Sequence, residues 1–156
     1  MIYYWPPYGG SGVQRWLFLA NFFSMKGLDV TFFIPNKQRI AQKDDALRKK
    51  IHHGIKEIKI HGWEPFQKSN KPIAENLGEK RGMLKRFILW VRANFFIPDA
   101  KLYWAKAATQ IFLKQHKQKP FDLIVTSGPP HSLHLIGLQA KLQTNILWIV
   151  DFRDPW

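Results

Sequence analysis

Three glycines in four residues, Gly9-Gly10-Ser11-Gly12, stand between a short apolar stretch, Ile2-Tyr3-Tyr4-Trp5, and a run with helical periodicity. In that run Val13, Trp16, Leu17, Ala20 and Phe23 fall on one face, Lys26 is the last residue, and Gly27 is a natural stop. Residues 28–34, rich in Val, Thr and Phe and closed by Pro35, then predict a second strand. Strand, Gly-rich turn, helix and strand in this order make a βαβ unit, which forces the two strands to be parallel.

The rest of the chain continues the alternation. Asp44 to His53 predicts a short basic helix, and Ile55, Ile58 and Ile60 mark a third strand. Residues 62–82, with Pro65, Pro72 and Gly78, predict a long loop or insertion. An amphipathic, basic helix is expected over residues 83–96, a break and cap at Pro98-Asp99, and a further helix over 100–117. A strand over 121–126, a helix from Pro129 or Pro130 to about Gln143, and a strand over 145–150 complete the pattern. The fold expected is α/β, a Rossmann-like parallel sheet with helices on both faces, in one domain spanning residues 1–156.

Composition narrows the class further. With no cysteine, neither a disulfide framework nor a thiolate metal site can form, which fits a reducing, cytoplasmic compartment. No signal peptide is visible, and no window holds about 18 uncharged apolar residues, so no membrane-spanning helix is expected. The formal net charge is +13, and residues 37–119 hold all of the excess, with 20 Lys or Arg against 7 Asp or Glu. A basic block of this kind attracts phosphate, in a substrate, a lipid headgroup or a nucleic acid.

In open α/β sheets ligands bind at the carboxyl ends of the strands. The first loop, Ser127 to His131 and Asp151 to Trp156 should therefore meet at one crevice. In the first loop, missing side chains let backbone N–H groups and the helix dipole approach an anion, so Gly9, Gly10, Ser11 and Gly12 are candidates for holding phosphate. A dinucleotide fingerprint is excluded, because Arg15 stands where the third glycine belongs and the second strand ends without an acid. A P-loop is excluded because no Gly-Lys-Ser or Gly-Lys-Thr follows. His131 suits proton transfer or a sugar hydroxyl, and His134, one turn on, reads as structural. Arg153 lies between Asp151 and Asp154 and can pair with either or clamp a substrate anion. A divalent-metal site built from the two histidines and two carboxylates is the weaker alternative, since their spacing is not that of known metal helices.

Four blocks carry a likeness to a known family. Tyr3 to Trp16, Arg92 to Ala100, Ser127 to Ser132 and Asp151 to Trp156 resemble, in the same order, segments of bacterial family-4 glycosyltransferases, and together they span nearly the whole chain. The resemblance implies a GT-B fold, two Rossmann-like domains facing across a cleft, and retaining transfer of a sugar from a nucleotide-diphosphate donor, usually without a metal. By that likeness Gly9, Gly10, Ser11 and Gly12 would meet the donor diphosphate. His131 and Asp151 would be catalytic, and Arg15, Ser127, Arg153 and Asp154 would bind substrate. No cofactor is implied beyond the nucleotide sugar as co-substrate. The partners implied are that donor, a glycan or lipid-linked acceptor, and a C-terminal donor-binding domain that residues 1–156 do not contain. Without that domain the chain is expected to be inactive.

Residues 80–104 mix Lys80, Arg81, Lys85, Arg86, Arg92 and Lys101 with Phe87, Trp90, Phe95, Phe96, Tyr103 and Trp104, a composition that suits an interfacial helix on an anionic membrane. Peripheral attachment to the inner face of the cell membrane follows as an expectation, in keeping with cell-surface polysaccharide synthesis. No recognisable nucleic-acid module is present. The alternative to a transferase is a non-catalytic basic module of the same fold that binds anionic membrane or nucleic acid.

Overall fold

A computed structural model describes residues 1–36, 44–63, 86 and 98–153. The helix expected over 83–96 apart from Arg86, most of the 62–82 loop, and Asp154 lie outside the described residues.

The chain is α/β. Helix α1 is Ser11–Met25, strand β1 Thr31–Pro35, helix α2 Asp45–Lys49 and strand β2 Lys56–Ile60. Helix α3 is Leu102–Gln118, strand β3 Leu123–Gly128, helix α4 Ser132–Thr144 and strand β4 Leu147–Phe152. β1 and β2 form one parallel pair with Thr31 opposite Lys56, and β3 and β4 form a second with Leu123 opposite Leu147.

Ile2 to Trp5 was expected to be a buried strand, and it is not one, although it contacts a strand of each pair. Met1 brackets β3 as a parallel neighbour would, its nitrogen donating to Val125 O at 2.7 Å and its carbonyl accepting from Ser127 N at 3.2 Å. On the other side Trp5 stacks on Phe32 of β1 with ring centroids 3.9 Å apart, and its Nε1 donates to Glu57 of β2 at 2.7 Å. The segment is too short to extend the ladder before Pro6 and Pro7, which have no N–H to donate.

Two apolar clusters lie on opposite faces of β1, as alternation along a strand requires. Phe33 packs with Tyr3, Ile60, Trp104, Ala108, Phe112 and Ile136, the side of α3 and α4. Phe32 and Ile34 pack with Trp5, Val13, Leu17 and Ala20, the side of α1. Burying a Leu or Phe side chain in such clusters stabilises the fold by roughly 1.5–3 kcal/mol each. Trp104, expected in an interfacial stretch, is fully buried against Tyr3.

Two further expectations about faces are corrected. Phe23 of α1 is exposed, because the buried stripe of Val13, Leu17 and Ala20 passes to one side of it. Leu147 and Ile149 of β4 are also exposed, so among the described residues the part of their face away from Asp151 has no helix over it. α4 covers the other face, where Trp148 packs.

The helix starts are sharply defined. Asp44 caps α2 by accepting from Ala46 N at 3.0 Å. Asp99, expected as a cap, serves two helices: Oδ1 accepts from Lys101 N and Oδ2 from Ser132 N, both at 2.8 Å. One carboxylate thus joins the N-terminal ends of α3 and α4 and favours both helix dipoles. Among the described residues no helix is long and apolar enough to cross a membrane.

Candidate functional site

The carboxyl ends of the strands and the first loop do converge. A crevice of about 370 Å³ is lined by Tyr3, Tyr4 and Tyr8, by Gly9 to Val13, by Trp16, and by Ser127, Pro129 and Arg153. Its floor is the start of α1. Gly10 is the residue before the helix, with φ of +141°, a backbone conformation open to glycine and strained for other residues. Its carbonyl accepts from Val13 N at 3.2 Å and Gln14 N at 3.1 Å. No side chain caps this end and no acid stands in the first turn, so the positive end of the dipole is left for an anion.

Arg153 supplies the cation. Its Nε donates to Gly128 O at 2.8 Å and its Nη2 to Pro129 O at 3.3 Å, which lays the guanidinium directly over Gly12. The pairing of Arg153 with Asp151 left open by the sequence is not made, because Asp151 is engaged elsewhere. Its Oδ2 pairs with Arg15 and accepts from Ser127 Oγ at 2.5 Å and from Trp16 Nε1 at 3.3 Å. Trp16 Nε1 also donates to Ser127 Oγ at 2.7 Å. The cluster has a simple origin. Ser127 and Asp151 are opposite each other in the β3–β4 ladder, so their side chains share a face, and α1 brings Arg15 and Trp16 over that face.

The structure therefore unites Gly9, Gly10, Ser11, Gly12, Ser127 and Arg153 at one crevice, with Arg15 and Asp151 bonded to its wall. His131 does not line it. His131 stands behind Gly128, near Phe152 with ring centroids 6.0 Å apart, and precedes α4.

His134 is buried, in accord with its structural reading. Thr126 Oγ1 accepts from Trp148 Nε1 at 2.9 Å and lies 3.0 Å from His134 Nδ1. The hydroxyl thus bridges the indole and the imidazole, and which of Oγ1 and Nδ1 donates in the second bond is set by the ring's tautomer. Burial, then the neighbouring His131, lowers the His134 pKa below the ordinary histidine value. Among the described residues, no group of three or more His, Asp or Glu is placed to hold a metal ion.

Sequence reasoning missed Trp16 and the tyrosines as parts of the site. Trp16 was read as a core position of the helix, although its indole N–H faces two acceptors from strands more than 100 residues away. No protein-family model, curated protein or solved structure matches the chain.

Proposed function

We propose that the chain is the acceptor-side, Rossmann-like half of a retaining glycosyltransferase of GT-B architecture. On this reading it takes a sugar from a nucleotide-diphosphate donor to a glycan or lipid-linked acceptor in cell-surface polysaccharide synthesis, at the cytoplasmic side of the membrane. The observation that carries the reading is the crevice. An uncapped helix N-terminus and the Arg153 guanidinium face one volume, whose walls are the aromatic rings of Tyr4, Tyr8 and Trp16. Cation and dipole suit a diphosphate, and aromatic faces suit the planar or apolar faces of a nucleotide or sugar.

The order of segments across the molecule adds support. The N-terminal segment contacts β3 through Met1 and β1 through Trp5, a placement compatible with a 3-2-1-4-5 doubly wound order, in which the crevice would fall at the switch point. In this proposal the Gly9–Gly12 loop and Arg153 hold the donor diphosphate, and Arg15 and Ser127 hold Asp151 at the acceptor side. His131, behind Gly128 and outside the crevice lining, is the member of the proposed catalytic set with no contact to this volume.

The test is transfer or hydrolysis across a panel of nucleotide sugars, using the chain expressed together with any coding sequence that follows Trp156. Turnover with one donor, lost in Arg153→Ala, supports the reading. Lack of turnover with every donor, together with no second Rossmann pattern downstream, overturns it.

A further inference from the structure

Three sides of α1 have partners. Val13, Leu17 and Ala20 are buried in the core, and Gly12 and Trp16 meet the ends of β3 and β4. The third side is tied to the segment after α2: Asn21 donates to Lys50 O at 2.7 Å and accepts from His52 N at 2.9 Å, and Ser24 Oγ lies 2.9 Å from His52 Nδ1. The fourth side carries Phe18, Phe22 and Met25, spaced i, i+4, i+7, and Leu28 follows just beyond the helix. These four are 62%, 51%, 66% and 56% exposed. A lone exposed apolar residue is ordinary, but a continuous row of large ones on one helix face marks a surface that meets something.

The charges around the row indicate what it meets. Lys26 extends its ammonium over the Phe22 ring at 5.7 Å, and Arg48, Lys49 and Lys50 are exposed at the end of α2, the element to which this helix is bonded. No carboxylate occurs from Ser11 to Leu28. The next acid, Asp29, is taken up by Lys119 at 2.7 Å and Lys56 at 3.5 Å. A convex row of aromatic and thioether side chains rimmed by cations, in a chain of net charge +13, repels a second copy of itself and is complementary to phosphate headgroups over hydrocarbon.

We propose that the outer face of α1 is a membrane-docking surface. Phe18, Phe22, Met25 and Leu28 enter the headgroup boundary of an anionic phospholipid bilayer, and Lys26, Arg48, Lys49 and Lys50 contact its phosphates. This surface is distinct from residues 80–104. Because α1 begins at Ser11 in the floor of the crevice, docking sets the crevice beside the headgroups, where a lipid-linked molecule is within reach. Docking itself is independent of the transferase reading and survives its failure.

The experiment is flotation of the full chain with vesicles of equimolar phosphatidylglycerol and phosphatidylcholine, against phosphatidylcholine alone. The chain is expected to float with the anionic vesicles only. Phe18→Ser combined with Phe22→Ser should weaken binding on the order of a hundredfold, since each aromatic loses a hydrocarbon environment. Lys49→Gln and Lys50→Gln should each weaken it about fivefold, with reduced sensitivity to salt. Circular dichroism and the urea midpoint verify that the variants fold, and Met25→Ser, in the same row, provides an independent decrease. The proposal is overturned by absence of flotation with anionic vesicles. It is equally overturned if flotation is insensitive to Phe18 and Phe22, including the case in which Lys85→Gln with Trp90→Ser abolishes it instead. Concentration-dependent self-association that the Phe18/Phe22 variant relieves, without any vesicle binding, also overturns it by assigning the face to a second copy.

Discussion

The guanidinium of Arg153 fills the space a side chain at position 12 would need: a Cβ on Gly12 would stand 1.5 Å from Nη1 and 2.7 Å from Cζ. Gly12 thus serves a long-range contact as well as the local turn. The two residues are 141 positions apart, and each determines whether the other can take its place at the crevice.

Gly12→Ala is expected to displace the guanidinium from Gly128 O and Pro129 O. The far end of an arginine can move, so the fold should survive at a cost of about 1–2 kcal/mol, the worth of the hydrogen bonds lost. In an Arg153→Ala background the same substitution should cost close to nothing. A double-mutant cycle of urea unfolding free energies should therefore show coupling of about 1 kcal/mol between the two positions, and additive costs would refute the contact. Under the proposed function, affinity for a nucleoside diphosphate should fall in either single variant and no further in the double, as titration calorimetry would show.

Asp151 combines structural and chemical roles that two substitutions separate. Its carboxylate receives Ser127 Oγ, Trp16 Nε1 and Arg15, so Asp151→Ala should cost about 1–3 kcal/mol of unfolding free energy by leaving these donors short of an acceptor. Asp151→Asn keeps an acceptor oxygen. The Arg15 and Asp151 side chains are 45% and 22% exposed, so the charge lost is well screened and the Asn variant should cost under about 1 kcal/mol. If Asp151 acts in transfer, both variants should lose turnover far beyond these stability costs. Full turnover in Asp151→Asn would confine the residue to holding the wall.

The periodic elements were legible in the sequence, and the contacts between them were not. α1, β1, α3, β3, α4 and β4 all lie within a few residues of their expected bounds, because their alternation and breakers are local signals. Asp99 was legible as a cap for α3 from its place before an apolar run. Its second bond, to Ser132 N of α4, was not, since nothing local reports it. Likewise Gly9-Gly10-Ser11-Gly12 announced a loop for an anion, but which cation would face it depended on whether Arg153 paired with Asp151 or turned to backbone carbonyls. Arg15 had already taken Asp151, and the carbonyls of Gly128 and Pro129 received Arg153. The strand expected at Ile2 to Trp5 failed for a related reason. Its apolar character reported burial correctly, but burial alone does not provide backbone pairing on both sides.

Gly137 is the seat of Trp148. A Cβ at position 137 would lie 2.0 Å from Trp148 Nε1 and 2.2 Å from Cε2, inside the ring of a side chain packed between α4 and β4. Unlike an arginine tip, a half-buried indole packed against the core and bonded to Thr126 Oγ1 does not swing away readily. Gly137→Ala, which by helix propensity alone should stabilise α4 by about 1 kcal/mol, is therefore expected to destabilise the protein by about 2–3 kcal/mol through overpacking. A rise in the urea midpoint would show that the indole is not held there.

Trp148 also meets His134 through the Thr126 hydroxyl that both contact, and the burial of that histidine makes a pH test possible. The folded-state pKa of His134 is depressed by burial and by His131, so the folded protein holds the ring neutral where the unfolded chain would protonate it. The unfolded state then binds more protons, and the contribution of His134 to stability is complete above the unfolded value of about 6.5 and is lost as pH falls through the lower folded value. The informative quantity is the difference between wild type and His134→Gln, in which contributions common to both proteins cancel. Wild-type unfolding free energy should exceed that of the variant most at pH 8, and the gap should shrink as pH drops below about 6.5. Thr126→Val removes the hydroxyl bonded to Nδ1 and leaves that nitrogen without its partner, so it should lower stability at pH 8. A gap between wild type and His134→Gln that is constant from pH 8 to pH 5, measured by urea unfolding, would show that His134 is solvated and not part of the Trp148–Thr126 network.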